Sequence, residues 1–167
     1  MKQRDGFTFV EIILYIGMVS IFIVVLASFI GFFTQAKTKS STIEEVNQQG
    51  MFLSEVIGQL IRDSDTITSP AKTQSACVLI LGSTKFPTRS PIKVELLSGK
   101  IIVTESTGLP IQLSSDRVTI STLDFTNLSQ ATTMGNIGYR FTITYTNPSG
   151  KSEFNYTQTF YGSTTTR

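Results

Sequence analysis

The first long feature of the chain is an apolar segment that contains no charged side chain from Ile12 to Phe33. As a helix this segment would rise about 33 Å, which is enough to cross a hydrocarbon core of about 30 Å. A helix is also the only structure that satisfies the backbone of a single lipid-exposed segment. The pattern therefore predicts a membrane-spanning helix near the N-terminus.

Beyond Phe33 the apolar positions recur at helical spacing, with polar residues between them. The resulting stripe consists of Val46, Leu53, Val56, Ile57 and Leu60. We expect the helix to continue to about Arg62 and the stripe to pack against the chain's own sheet; a stripe that binds a partner helix is the alternative. Gly50 and Gly58 each weaken such a helix by about 1 kcal/mol relative to alanine.

The polar run Asp63-Ser64-Asp65, followed by Ser69-Pro70, predicts the end of the helix. Asp63 and Asp65 could also be calcium ligands. Two carboxylates two residues apart lack the further oxygen atoms that a calcium site needs, so we prefer a solvated helix end and expect no metal.

From Cys77 onward the periodicity becomes that of short strands. The predicted strands are Cys77–Leu81, Ile92–Leu97, Lys100–Glu105, the short Leu109–Leu113, a segment beginning at Val118, the alternating segment that contains Tyr139, Phe141, Ile143 and Tyr145, and a return strand with Phe154, Tyr156 and Phe160. Ser98-Gly99 is a hairpin signal between the second and third of these strands. A second turn is predicted at Asn147-Pro148-Ser149-Gly150.

One strand changes phase along its length. Val118 and Ile120 alternate in one register, whereas Leu123 and Phe125 continue in the opposite one. A bulge near Ser121–Thr122 would bring both pairs to the same face. A long helix followed only by antiparallel strands is an α+β arrangement, with the helical segments at 7–33 and 34–66 and a β domain at 67–167.

Composition excludes several function classes. The net charge is +2 and the 14 basic residues are scattered, so we expect no direct nucleic-acid binding. The chain has no histidine, no glycine-rich phosphate loop and no nucleophile–base pair, so we expect neither catalysis nor a cofactor. The single cysteine, Cys77, cannot form an intrachain disulfide and is interpreted as a buried structural thiol. The five tyrosines are interpreted mostly as core residues.

Glu11 lies at the start of the apolar segment, where an unpaired charge is costly. A cleaved secretory signal does not fit, because the apolar run is too long and lacks a small-x-small site at its end. A plain single-pass anchor accounts for the apolar run but leaves the abrupt Gly6-Phe7 boundary and Glu11 unexplained. A local role is also open, since Thr8-x-x-Glu11 fits a capping box with Thr8 as the N-cap.

The stretch Gly6-Phe7-Thr8-Phe9-Val10-Glu11 resembles the signal of type IV prepilins and of type II secretion pseudopilins. Four features carry the resemblance: a short basic leader, glycine before an apolar residue, glutamate at the fifth place after the glycine, and an apolar run of spanning length. The absence of a proline near mid-membrane favours minor pilins and minor pseudopilins. Two looser similarities, to J-type minor pseudopilins, lie at Leu60–Ile67 and from Leu113 to Phe125.

The resemblance implies a processing route and a set of partners. A prepilin peptidase would cut residues 1–6 from the chain after Gly6, and Phe7 would become N-methylated. Glu11 would meet the N-terminal ammonium of a neighbouring pilin or pseudopilin subunit in a filament. Lys2 and Arg4 precede the span, which predicts a cytoplasmic N-terminus and a β domain outside the cytoplasmic membrane of a bacterium. An uncleaved membrane-anchored binding protein is the alternative.

Overall fold

A computed structural model of the protein describes residues 8–106, 108–130, 135–147 and 150–166. A single helix, α1, covers Phe9–Arg62, and strands follow it to the end of the chain. The chain forms two compact units, Met1–Ser40 and Ser41–Arg167. The architecture is α+β, with one long apolar N-terminal helix followed by antiparallel sheets.

The first unit contains the N-terminal part of α1. This part is long and apolar enough to cross a membrane, and its most apolar window has none of its residues buried within the protein. Its large hydrophobic side chains are exposed, as for Phe22 and Phe32. A helix that is apolar on every side suits a membrane span, since lipid can cover all of its faces.

The second unit contains two antiparallel sheets. The strands are β1 (Thr66–Ser69), β2 (Ser75–Ala76), β3 (Val78–Gly82), β4 (Ile92–Leu97), β5 (Lys100–Glu105), β6 (Ile111–Gln112), β7 (Val118–Asn127), β8 (Asn136–Tyr145) and β9 (Thr157–Thr165). The first sheet has the order β1-β3-β4-β5-β6, and the second sheet has the order β2-β7-β8-β9. A short 3₁₀ turn at Ser152–Phe154 precedes β9.

The core of this unit joins the C-terminal part of α1 to both sheets. Val46, Leu53 and Ile57 of the predicted stripe are fully buried, which confirms that the stripe packs against the chain's own sheets. Ile61, one helical turn after Ile57, is also fully buried although it was not assigned to the stripe. The strands contribute alternate residues to the same cluster: Leu79, Leu81, Ile92, Val94, Ile101, Val103, Val118, Ile120, Leu123, Phe125, Ile137, Tyr139, Phe141 and Ile143.

The β4–β5 hairpin forms where the sequence predicts it. Leu97 pairs with Lys100, and the two residues between them have positive φ angles, 52° at Ser98 and 75° at Gly99. Two left-handed residues form the turn whose twist matches that of a hairpin. The predicted strand bounds Ile92–Leu97 and Lys100–Glu105 are confirmed.

The predicted bulge in β7 is also confirmed. The register against β8 shifts between Ile120 and Thr122. One extra residue at this point reverses the alternation, so that Val118, Ile120, Leu123 and Phe125 are all buried.

The prediction that Cys77 is a buried thiol in a strand is wrong. Cys77 is exposed, and it lies between β2 and β3, which belong to different sheets. The buried strand begins one residue later, at Val78. The chain leaves one sheet at Ala76 and enters the other at Val78, so the connecting residue belongs to neither hydrophobic face.

Three strand predictions need smaller corrections. The sequence pattern predicts no strand at β1, because Ser69-Pro70 indicates a break; proline is nevertheless compatible with the end of an edge strand such as this one. Phe154 lies in the 3₁₀ turn, stacked on Tyr145 at 5.9 Å between ring centroids, and β9 begins only at Thr157. The strand predicted over Leu109–Leu113 is limited to β6. In the turn predicted at residues 147–150, Pro148 and Ser149 lie outside the described residues.

Gly50 is the point where the helix and β9 come closest. An added Cβ at Gly50 would overlap the Phe160 ring, which itself stacks on Phe141 at 5.5 Å between centroids. At Gly58 an added Cβ would meet only the Arg62 guanidinium at 3.3 Å and the Thr164 hydroxyl at 3.4 Å. The two glycines therefore differ in how much room they leave for a side chain, although each lowers the helix propensity by the same amount.

We expect Gly50→Ala to lower the free energy of unfolding by about 1–3 kcal/mol, because overpacking against the ring outweighs the gain in helix propensity. The matched Gly58→Ala variant is expected to be neutral or slightly stabilising. Urea unfolding of the full chain in detergent micelles measures both. Equal stabilities of the two variants would contradict the close packing of Phe160, and adding Phe160→Leu should recover part of the loss in Gly50→Ala.

Candidate functional site

The start of α1 brings together two of the residues that the sequence singles out. Thr8 immediately precedes the helix, and the Glu11 N–H donates a hydrogen bond to Thr8 Oγ1 at 3.4 Å. The Ile12 N–H donates to the Thr8 carbonyl oxygen at 3.2 Å, which is the first bond of the helical ladder. This is N-cap geometry with a long side-chain bond. Gly6 and Phe7 lie outside the described residues.

Glu11 lies in the first turn of the helix and is half-buried. A carboxylate there interacts favourably with the unpaired N–H groups and the positive end of the helix dipole. The same position is followed by an apolar segment, so the charge sits at the boundary between a polar and an apolar region. Glu11 can therefore serve its own helix and still present a negative charge to another group.

The serine hydroxyls of the apolar part of α1, and the Thr34 hydroxyl directly after it, bond to the helix itself. Ser20, Ser28 and Thr34 each donate to the carbonyl oxygen four residues earlier, at 2.8, 2.9 and 2.5 Å. These bonds remove most of the cost of placing a hydroxyl among lipid chains or apolar side chains. The surface from Phe9 to Phe33 is thus apolar in effect, with Glu11 as its one carboxylate.

Asp65 links the segment at the end of α1 to the loop after β3. Its Oδ2 accepts hydrogen bonds from the Thr84 N–H at 2.7 Å and the Thr84 hydroxyl at 2.5 Å. The Ser83 hydroxyl donates to the Asp63 carbonyl oxygen at 2.9 Å, so these three bonds join the segment at the end of α1 to the loop after β3. Within the described ranges, no group of three His, Cys, Asp or Glu side chains is placed to hold a metal.

The hydrogen bonds from Thr84 hold the pKa of Asp65 below its ordinary value. A lowered pKa in the folded state means that the ionised carboxylate stabilises the fold at pH values above its unfolded pKa of about 3.9. This contribution is lost as the pH falls through the lowered folded value.

We expect Asp65→Asn to lower the Tm by a few degrees at pH 7, and the difference from the wild type to shrink below about pH 4. Asp63→Asn is the matched control, because it removes one carboxylate and retains the backbone carbonyl that accepts from Ser83. Thermal unfolding followed by circular dichroism at pH 7 and at low pH measures both variants. A pH-independent loss in Asp65→Asn would contradict the role of the ionised form.

The outer face of the second sheet carries a groove that the sequence pattern does not predict. The general expectation that the tyrosines are core residues does not hold for Tyr161, which is 72% exposed and lines this groove. Tyr139 on the neighbouring strand is buried and donates its hydroxyl proton to the Ser54 carbonyl oxygen at 3.2 Å. Alternation on β9 was the available signal: Phe160 faces the core cluster, so the next residue faces away from it.

Comparisons of the chain with protein-family models, with curated proteins and with solved structures found no match.

Proposed function

We propose that this protein is a structural subunit of a type IV pilus-like or type II secretion filament, of the minor pilin or minor pseudopilin kind. The observation that carries the proposal is the position of Glu11. It is the fifth residue after Gly6, in the first turn of a helix whose following apolar surface is long enough to span a membrane. Fold class alone would not support this function, since many α+β proteins share it.

Processing would create the partner that Glu11 needs. Cleavage after Gly6 by a prepilin peptidase removes Lys2, Arg4 and Asp5 and leaves an ammonium on Phe7, which is then N-methylated in a separate step. Glycine at the cut leaves room for the peptidase and lets the backbone leave a helical conformation. The leader charges are then replaced by a single positive charge close to the start of the apolar surface.

Assembly would pair Glu11 with the ammonium of a neighbouring subunit. Two unit charges 4 Å apart attract by about 1 kcal/mol in water and by about 4 kcal/mol at an effective dielectric constant of 20. The gain depends on close approach, so the pair would favour one axial register of neighbouring helices. The apolar surface from Phe9 to Phe33 would then be covered by the same helices in other subunits.

The route begins in the bacterial cytoplasmic membrane, with the N-terminus in the cytoplasm and the β domain outside. After assembly the β domain would face outwards and contact other subunits or a substrate. The second candidate is an uncleaved, membrane-anchored binding protein. It is favoured by the same apolar helix and by the groove on the β domain, and it leaves Gly6 and Phe7 without a role.

We expect the mature protein to begin at methylated Phe7. Intact-mass and N-terminal peptide spectrometry of the chain, extracted from the membranes of a bacterium that has a prepilin peptidase, tests this. Gly6→Val, which places a branched side chain at the cut, is expected to retain the leader and to remain in the membrane. An intact N-terminus on the unsubstituted chain in such cells would reject the prepilin assignment and favour the anchored binding protein.

We expect Glu11→Gln to be cleaved normally and to enter filaments at least tenfold less often than the wild type, as lost pairing of about 1.4 kcal/mol would produce. Glutamine at this position still suits a capping box, so the variant removes the charge and keeps the cap. Thr8→Ala is the converse control, because it removes the cap and keeps the charge. Quantitative immunoblotting of sheared filaments gives the measurement, and normal incorporation of Glu11→Gln would count against charge pairing.

A further inference from the structure

The outer face of the second sheet contains a groove of about 750 Å³. This volume lies within the range of about 300–1,000 Å³ that is usual for small-molecule sites. The side chains that define the groove are Ser75, Asp124, Thr126, Leu128, Arg140 and Tyr161. They come from all four strands of the sheet or from the residue directly after one of them, so the framework of the site is hydrogen-bonded backbone.

The strand register explains why a groove exists at this place. Ser75, Thr126, Gly138 and Ser163 form one cross-strand row, and Gly138 contributes no side chain to it. The neighbouring row on the same face has a large side chain at every position, because Asp124 pairs with Arg140 and Arg140 pairs with Tyr161. Without a side chain at Gly138 the first row has a gap, and Leu128 packs into part of the gap, with its Cδ1 3.3 Å from where a Cβ on Gly138 would stand.

The groove has little net charge despite its charged residues. The Arg140 Nη2 donates to Asp124 Oδ2 at 2.7 Å, and this bond holds the pKa of the guanidinium above its ordinary value. Each group still has polar atoms on an exposed side chain, so the pair presents both donors and acceptors at the surface. Asp124 and Arg140 already neutralise each other, so neither would pair strongly with the charge of an anionic or cationic ligand. A neutral polar ligand could form hydrogen bonds with both groups.

Hydroxyl groups extend the polar surface away from the groove. Thr122, Thr142 and Thr159 form the next cross-strand row and bond to one another, with both oxygen–oxygen distances at 3.0 Å. Thr144 and Thr157 repeat the arrangement at 2.9 Å. The result is an uncharged strip of two threonine rows, about 7 Å apart along the strands, which begins next to the Asp124–Arg140 row.

We propose that this groove binds a neutral linear oligosaccharide of pyranose units with equatorial hydroxyls. The exposed Tyr161 ring offers an aromatic face for the C–H face of one sugar ring, and the groove lined by Leu128 and Gly138 takes the edge of that ring. The Asp124 carboxylate would accept, and the Arg140 guanidinium would donate, hydrogen bonds to adjacent sugar hydroxyls. The threonine strip would carry the rest of a linear glycan.

This inference does not depend on the proposed function. A filament subunit and an anchored binding protein would both carry the β domain outside the membrane, where glycans are found. Failure of glycan binding would leave the cleavage and incorporation experiments unaffected, and failure of those experiments would leave the groove unchanged.

The test is titration of the full-length protein with cellotetraose and with tetra-N-acetylchitotetraose, up to about 10 mM, since isolated sugar sites bind weakly. The protein is held in a zwitterionic detergent, because the sugar headgroups of maltoside detergents would compete. Saturation-transfer NMR detects binding, and calorimetry measures its Kd. We expect at least one of the two neutral oligosaccharides to bind, and tetragalacturonate, which carries a carboxylate on each ring, to bind more weakly.

Three variants locate the site. Tyr161→Ala should weaken binding about tenfold, whereas Tyr161→Phe should retain it because the ring remains. Gly138→Thr should abolish binding, because the new side chain and the Leu128 side chain that it displaces would fill the groove, although it removes no contacting group. Leu109→Ala, at an 87% exposed residue just before β6 of the first sheet, is the control and should bind as the wild type does. Each variant is first checked for an unchanged Tm.

Several outcomes would overturn the proposal. One is that neither neutral oligosaccharide binds. Another is that tetragalacturonate binds more tightly than both of them, which would assign the groove to anions. A third is that folded Tyr161→Ala and Gly138→Thr bind as tightly as the wild type, which would place any glycan site elsewhere on the protein.

Discussion

The burial of Leu53, Ile57 and Ile61 of α1 in one cluster with residues of both sheets is the interaction on which the second unit depends. Each of these side chains contributes about 1.5–3 kcal/mol when fully buried. Because the chain forms no intrachain disulfide, such packing must supply the stability of this unit. The close approach of Phe160 to Gly50 belongs to the same interface, and it shows that a glycine inside a helix can serve packing rather than flexibility.

The outward surfaces of the sheets follow from this inward packing. The bulge between Ile120 and Thr122 keeps all four apolar residues of β7 in the core, and it therefore sets which residues of β7 face outward. Asp124 comes to lie opposite Arg140, and Thr126 opposite Gly138. A groove on the outer face is thus a consequence of register, since shifting a strand by one residue would exchange its inner and outer side chains.

Local chemistry explains which parts of this fold could be predicted from sequence. The β4–β5 hairpin depends on Ser98-Gly99, and the bulge depends on the phases of residues within one strand, so both are encoded by neighbouring residues. The exposure of Cys77 and the existence of β1 depend on which sheet each segment joins, which is decided by distant partners. The N-terminal site and the groove differ in the same way, since the first is encoded by neighbouring residues and the second by distant ones. Gly6, Phe7, Thr8 and Glu11 are adjacent in the chain, whereas the groove combines residues from Ser75 to Ser163 that only the sheet register brings together.

The passage of the chain through Cys77 has a mechanical consequence. Ala76 is paired with Phe125 in the second sheet, and Val78 is paired with Glu95 in the first, so one residue joins the two sheets. Ala76 and Val78 are two positions apart, and two residue steps span at most about 7 Å when fully extended. The sheets therefore cannot slide apart at this corner unless a strand pair breaks. Tension applied to the β domain would pass from one sheet to the other through this short connection as well as through the shared core.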